Sequence, residues 1–250
     1  MENMNHYTAI LAAIKYLHER GVDVNEWLDR FARDIAVKTL EMYQRQLWSY
    51  ALDFFRGDIS DAEFESSFFS AIDGQLTKAW NEGADEVGVL PEDYTDEDNA
   101  IIEGIIADEQ SYIDNLGVAI IDAKEALVDP AKITDAELNA FRSEFGARID
   151  IWSNRYTDVT NQAKLHFGGK EKLVWVLGTT EQHCESCAAL NGIVAYAEEW
   201  DEAGVHPQGP PNGALACGGW NCDCSLDTTN ARRTRDALGR IMDIAVSGNV

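Results

Sequence analysis

The residues of this chain best suited to chemistry are its five cysteines, which all lie between Cys184 and Cys224. Cys184 and Cys187 form a C-x-x-C pair, which places two thiolates on one tight turn from which both can reach a single tetrahedral ion. Further along, Cys217, Cys222 and Cys224 offer C-x4-C or C-x-C spacing. Four soft ligands from two separated segments would leave no coordination position open. The pattern therefore predicts a structural zinc site.

The cysteines alone do not specify which four would bind the ion. On an extended strand Cys222 and Cys224 would point to the same face, which leaves Cys217 as a spare thiol or as a replacement for one of them. His183 and His206 are further candidate ligands. Buried free thiols and disulfides are the other interpretations, although an odd number of cysteines cannot all pair within one chain.

An enzymatic interpretation rests on His183 and Glu185. His183-Cys-Glu185 fits the H-x-E half of the zinc deaminase signature, in which the glutamate moves protons for a metal-bound water. The other half, Pro-Cys-x-x-Cys, is absent, and so are the sequence patterns of serine hydrolases, zinc proteases and phosphate loops. We therefore predict that the chain is not an enzyme and keep a zinc-dependent hydrolase or deaminase-like activity as the alternative.

The elements before the cysteines are predicted to be helices. Bulky residues recur at every third or fourth position and form apolar stripes, and the last stripe follows Thr134-Asp-Ala-Glu137, which has the spacing of a capping box. The predicted helices cover Tyr7–Arg20, Asn25–Arg56, Ser60–Trp80, Thr95–Ile120 and Thr134–Val159. Trp27, Trp48, Phe54 and Phe55 are expected in the core or at a partner interface. Residues 1–168 are thus predicted to form an elongated helical body.

The sequence changes character after Gly168. Lys172–Leu177 is short, β-branched and aromatic, which is typical of a strand. Asn191-Gly192 predicts a hairpin between Ala188–Leu190 and Ile193–Tyr196, Cys222–Leu226 a returning strand, and Ala231–Val246 a final helix. Residues 169–250 are therefore predicted to form a small α+β module that carries every thiol, in a chain that is mainly α.

The composition restricts the possible partners. The 250 residues include 44 acidic and 20 basic side chains, and the formal net charge is −24. This charge argues against nucleic acid as a main partner, because phosphate binding needs clustered Lys and Arg. No apolar run has the length of a membrane span, and no signal peptide is recognisable. A protein partner is therefore expected.

Several of these residues together resemble the Mu F-like minor head protein domain of tailed phages. The resemblance covers roughly residues 135–228 and rests on the following motifs: Trp175, Thr179-Thr180, Cys184-x-x-Cys187, Leu190-Asn191-Gly192 and Asn221-Cys222-Asp-Cys224. Where the family has His-Pro before its C-x-C, this chain has Gly219-Trp220, so the histidine ligand carried over from the family is absent. Cys217 is two residues upstream and is the candidate substitute.

The resemblance implies a structural protein of the phage virion. Such a minor head protein is associated with the portal, acts in capsid assembly or DNA packaging, and has portal or capsid proteins as partners. It would be found in the virion and, during assembly, in the host cytoplasm, with an oligomeric state set by virion assembly. A cellular zinc adaptor without any phage connection is the remaining alternative.

Overall fold

The structure is a computed structural model that describes residues 24–127, 129, 132–179, 182–220 and 222–247. The chain divides into two compact units, Met1–Arg45 and Gln46–Val250. The predicted helix Tyr7–Arg20 and the side chain of Trp27 lie outside the described part. The next helix, Val24–Arg56, begins in the first unit and ends in the second, and every later element lies in the second unit.

Four long helices make up more than half of the described residues, as the apolar stripes predict. They are α1 (Val24–Arg56), α2 (Asp61–Glu86), α3 (Asp96–Glu125) and α4 (Asp135–Gly168). Each of the last three begins with a complete capping box, in which a hydroxyl accepts from one backbone N–H and a carboxylate accepts from another. The pairs are Ser60 with Glu63, Thr95 with Asp98, and Thr134 with Glu137. These local bonds fix where the helices start.

Helices α2 and α4 pack against each other along most of their length. Phe68 and Trp152 meet edge to face with ring centroids 5.0 Å apart. Further along, the helices come so close at Gly83 that an added Cβ atom would lie 2.3 Å from the carbonyl oxygen of Thr160. Glycine is required there because any side chain would push the two backbones apart. Phe54 and Phe55 are buried in the same core, as predicted.

The C-terminal part contains a three-stranded antiparallel sheet of order β2-β1-β3. Its elements, in chain order, are β1 (Lys172–Val176), α5 (Glu185–Leu190), β2 (Val194–Tyr196), α6 (Ala197–Glu202), β3 (Ser225–Thr228) and α7 (Ala237–Ser247). In the central strand Val174 pairs with Val194, and Trp175 pairs with Leu226. Trp175 is fully buried, as expected for an inward-facing position of a half-buried sheet.

Backbone groups at both edges of this small sheet form hydrogen bonds with residues outside the sheet. Asn161 on α4 accepts from the backbone N–H of Leu226 over 3.0 Å. Lys164, one turn further, donates to the carbonyl of the same residue over 2.9 Å. On the other edge, Thr234 exchanges two hydrogen bonds with the backbone of Val194. Edge strands expose unpaired backbone groups, and here those of Leu226 and Val194 are bonded within the chain.

Two local predictions in the module are wrong. Asn191-Gly192 does not join two strands, because Ala188–Leu190 belongs to α5, and the turn leads from this helix into β2. The N-cap of α5 explains the difference: the Cys184 sulfur accepts from the backbone N–H of Cys187 and begins a helical turn. The returning strand starts at Ser225, so the cysteines of its predicted first half lie ahead of β3.

The predicted fold class is confirmed. The chain is mainly α, with a long helical body, a small C-terminal sheet and a cysteine cluster that could bind a metal. Helix α4 contacts both α2 and the elements around the sheet, and a domain boundary near residue 168 stays a prediction. None of the helices in the described ranges combines the length and apolarity that crossing a bilayer requires.

The first prediction concerns the close approach of α2 and α4. Gly83→Ala should lower the free energy of unfolding by roughly 1–3 kcal/mol, because the new methyl group overlaps Thr160. Gly74→Ala is the matched control on the same helix, since an added Cβ there meets no atom within 4 Å. It should raise the free energy of unfolding by up to about 1 kcal/mol through helix propensity. Urea denaturation measures the free energy of unfolding of both variants. Equal changes in the two variants would contradict the close approach of α2 and α4 at Gly83.

The second prediction concerns Asp98 at the start of α3. Asp98 Oδ1 lies 2.5 Å from His166 Nε2 near the end of α4. This hydrogen bond, with those from Thr95, lowers the pKa of Asp98 from 3.8 to about 2. The ionised carboxylate therefore stabilises the folded protein above pH 3.8, and this contribution is lost as the pH falls through about 2.

Asp98→Asn should be less stable than the wild type at neutral pH, and the difference should shrink as the pH falls from 3.8 toward 2. Acid unfolding followed by circular dichroism measures the difference. Asp96→Asn, at an exposed position of the same turn, is the control and should leave the wild-type pH dependence in place. A constant difference between wild type and Asp98→Asn across this range would contradict the role of the ionised carboxylate.

Candidate metal centre

The five cysteines form two triads that share one sulfur. The sulfurs of Cys184, Cys187 and Cys217 all lie within 4.8 Å of one another, and so do those of Cys187, Cys222 and Cys224. We call the first set the outer triad, because two of its members are half-buried. The second is the inner triad, because all of its members are buried. Cys187 belongs to both, and its sulfur lies 3.9 Å from that of Cys222.

The triads are built from three segments of the module. Cys184 caps α5, and Cys187 lies in the first turn of that helix. Cys217 lies in the loop that follows α6, while Cys222 and Cys224 come directly before β3. Residues far apart in the chain therefore meet beside the central strand, and a single cation bound to them would connect α5 to the segment entering β3.

Backbone N–H groups are directed at these sulfurs. The N–H of Cys187 donates to Cys184 Sγ over 3.4 Å, and that of Gln208 donates to the sulfur of Cys222. The same kind of contact joins Gly178 to Cys224 and Gly219 to Cys217. N–H donors stabilise a thiolate over a thiol and orient a metal-binding sulfur. The surroundings therefore suit ionised cysteines.

Without a cation, contacts among the cysteines shift their pKa values in opposite directions. Hydrogen bonds from Cys187 and Cys222 lower the pKa of Cys224 to about 3. At Cys184 burial acts against ionisation, but the hydrogen bonds from Cys187 and Cys217 lower its pKa overall. The contacts with Cys222 and Cys224 raise the pKa of Cys187, and burial raises that of Cys217 to about 11. A bound cation would replace the protons on these remaining thiols.

One hydrogen bond and one close approach of the backbone hold the loop that carries Cys217. The backbone N–H of Ala216 donates to the buried hydroxyl of Ser186 over 3.0 Å, which ties the loop to the C-x-x-C turn. Gly219 has a φ of +79°, and an added Cβ there would lie 2.6 Å from the carbonyl oxygen of Gln208. A non-glycine residue would be strained and would clash at this point.

The inner triad is part of the hydrophobic core of the module. Cys187, Cys222 and Cys224 are 2%, 7% and 1% exposed. Around them the core contains Leu173, Trp175, Leu190, Trp200, Leu226 and Ile241. This environment excludes water from the sulfurs, which strengthens their electrostatic interaction with a cation.

The structure brings together all five cysteines that the sequence nominates, and they could hold a metal ion. His183 and His206 are half-buried, and neither is a member of the two potential metal-binding groups found among the described residues. His206 Nδ1 lies 3.8 Å from the buried carboxylate of Asp158 on α4 instead. Glu185 is exposed in the first turn of α5.

Sequence reasoning missed several residues that position the cysteines. Ser186 is the clearest, because its hydroxyl faces inward and holds the Cys217 loop. Asn212 fixes the same region by donating to the carbonyls of His206 and Gln208. No spacing or composition pattern identifies such anchors. The position of Ser186 inside the C-x-x-C pair was the only signal that could have drawn attention to it.

The third prediction is that removing the shared sulfur abolishes metal binding. Zinc at about 100 times its Kd should raise the free energy of unfolding by about 2.7 kcal/mol. Cys187→Ser should lose this increase, because Cys187 is a member of both triads. Glu185→Gln is the matched control at an exposed neighbouring position and should keep it. Denaturation with and without zinc measures the effect, and full stabilisation of Cys187→Ser would contradict the assignment.

No family model, curated protein or solved structure matches this chain. The resemblance to Mu F-like minor head proteins therefore rests on the residues quoted for it.

Proposed function

We propose that the five-cysteine cluster holds one structural zinc ion, with Cys184, Cys187, Cys222 and Cys224 as its resident ligands. The inner triad supplies three of these sulfurs. The fourth comes from the same C-x-x-C turn, whose N–H···S contact already orients Cys184. Four thiolates complete a tetrahedral zinc site at Zn–S distances of about 2.3 Å. The convergence of the inner triad, which Cys187 links to Cys184, is the observation that carries the proposal.

Zinc in this position would act on the fold. The sheet has only three strands, of five, three and four residues, and isolated short strands are marginal in water. An ion that joins α5 to the segment before β3 closes the loop between them and stabilises the module against unfolding. Once four thiolates are bound, no position remains for water or substrate, so the site has a structural role.

We further propose that the protein is a structural component of a tailed-phage virion. It would be a minor head protein associated with the portal, acting in capsid assembly or DNA packaging. Support comes from where the motif residues of the resemblance lie: Trp175, Leu190 and the cysteines belong to one core around the cluster. A helical body precedes this core in the chain, as it does in the family that the sequence resembles.

The charge of the chain favours portal or capsid proteins as partners over packaged DNA. A net charge of −24 repels phosphates and would steer association with basic or neutral protein surfaces. The protein would then occur in the virion and, before assembly, in the host cytoplasm. Its oligomeric state would be set by the particle into which it assembles.

Co-assembly tests the virion proposal and is the fourth prediction. The chain is produced together with the portal and capsid proteins encoded by its neighbouring genes, and particles are purified on a gradient. Mass spectrometry should find the chain in the particles in few copies. Cys187→Ser should reduce its incorporation roughly tenfold or more, as expected for loss of a structural metal site.

Glu185→Gln is again the matched control. It should be incorporated like the wild type and keep its zinc. The alternative, a zinc-dependent hydrolase or deaminase-like enzyme using His183 and Glu185, predicts loss of turnover in this variant with the metal content unchanged. Particles that lack the wild-type chain, or neighbouring genes that encode no head proteins, would contradict the virion proposal. Zinc binding would then favour the cellular adaptor.

A further inference from the structure

The cluster contains one sulfur more than a tetrahedral ion can bind. Within a zinc site at Zn–S distances of about 2.3 Å, neighbouring sulfurs are roughly 3.8 Å apart. Both triads come near this spacing, with sulfurs within 4.8 Å of one another. Each triad can therefore close on an ion by small side-chain movements, but one ion cannot keep all five sulfurs. An ion bound by Cys184, Cys187, Cys222 and Cys224 therefore leaves the sulfur of Cys217 without a metal ion.

The two triads differ in their access to solvent. The sulfurs of the inner triad belong to residues that are at most 7% exposed. Cys184 and Cys217 are half-buried, and the neighbouring Trp220 is 53% exposed. A hydrated ion arriving from solvent therefore meets the outer triad first. Cys187 is the one sulfur that both triads can offer.

We propose that the outer triad is the loading site of the zinc centre and that Cys217 is a transient ligand. This inference rests on the proposed resident zinc site. The ion is first bound by Cys184, Cys187 and Cys217, with water as its fourth ligand. Cys222 and Cys224 then replace the water and Cys217, while Cys184 and Cys187 stay bound. The ion moves inward without ever being released.

The exchange balances without any change in oxidation state. Cys222 and Cys224 would each bind as a thiolate, with any thiol proton released to solvent, and would displace the water ligand and the sulfur of Cys217. Cys217 would leave as a thiolate and take a proton from water. The zinc ion remains divalent throughout, and its four ligands at the end are all thiolates. The driving force is the transfer of the ion into the buried inner triad, where electrostatic attraction is stronger.

Specific contacts keep Cys217 on the solvent side of the cluster. The hydrogen bond from Ala216 to Ser186 places the loop beside the C-x-x-C turn. The backbone N–H of Asn212 donates to the carbonyl of Gly218 over 2.8 Å and holds the other side of the turn. Cys217 is thereby positioned to meet the ion together with Cys184, and it remains outside the inner triad.

Zinc transfer from a coloured chelator, followed by stopped-flow absorbance, tests this order and gives the fifth prediction. The full-length wild type should take up one equivalent of zinc. Cys217→Ser should bind one equivalent of zinc with an affinity within about threefold of that of the wild type. Its rate of zinc uptake should be roughly tenfold or more lower, because one of the three thiolates that capture the ion is missing. Cys222→Ser should take up zinc at the wild-type rate but bind it with lower affinity at equilibrium.

Ser186→Ala gives an independent variant that keeps all five sulfurs. It removes the hydrogen bond that positions the loop and should slow loading without changing the stoichiometry. Loading of Cys217→Ser at the wild-type rate would overturn the proposal. Loss of zinc affinity in Cys217→Ser would also overturn it, because Cys217 would then be a resident ligand. Binding of two equivalents of zinc by the wild type would overturn it as well, because Cys187 would then bridge two ions. Absence of zinc from the wild type would refute the resident site itself.

Discussion

The central physical feature of the C-terminal module is the convergence of buried sulfurs at Cys187. Thiols are weak hydrogen-bond partners, and the 3.9 Å contact between Cys187 and Cys222 contributes little by itself. Burying several thiols together also disfavours their ionisation unless a cation compensates the charge. The sheet beside them has only three strands, of five, three and four residues. A metal ion at this point would relieve the electrostatic conflict and connect the three segments on which the cysteines lie.

Helix α4 is the structural support of this arrangement. Its first half contributes Phe141, Phe145 and Trp152 to the core shared with α1 and α2. Its second half carries Asn161 and Lys164, whose polar groups bind the backbone of β3 at Leu226. Lys164 is buried, but its charge is compensated by Glu86 at 2.5 Å. The strand that follows Cys222 and Cys224 is thus fixed to the helical body, and the position of the inner triad is fixed with it.

The two triads of the cysteine cluster would act one after the other. The accessible outer triad would capture zinc, the buried inner triad would keep it, and the closed module would then assemble into a particle. A site saturated with four thiolates would stabilise structure, because no coordination position would be left to activate water. The strongly acidic surface is compatible with this role, because it favours protein partners and disfavours non-specific contact with DNA.

The sequence by itself determined the long helices, because apolar periodicity and the capping boxes at Ser60, Thr95 and Thr134 are local signals. It also singled out the five cysteines, since C-x-x-C and C-x-C spacing is typical of metal ligands. Only the tertiary structure decided how the sulfurs are grouped, because sharing Cys187 depends on where α5 and the segment before β3 meet. The same holds for α5 itself, where a capping sulfur overrides the hairpin signal of Asn191-Gly192. The anchoring by Ser186, Asn161 and Lys164 arises from contacts between residues far apart in the chain, which no local pattern encodes.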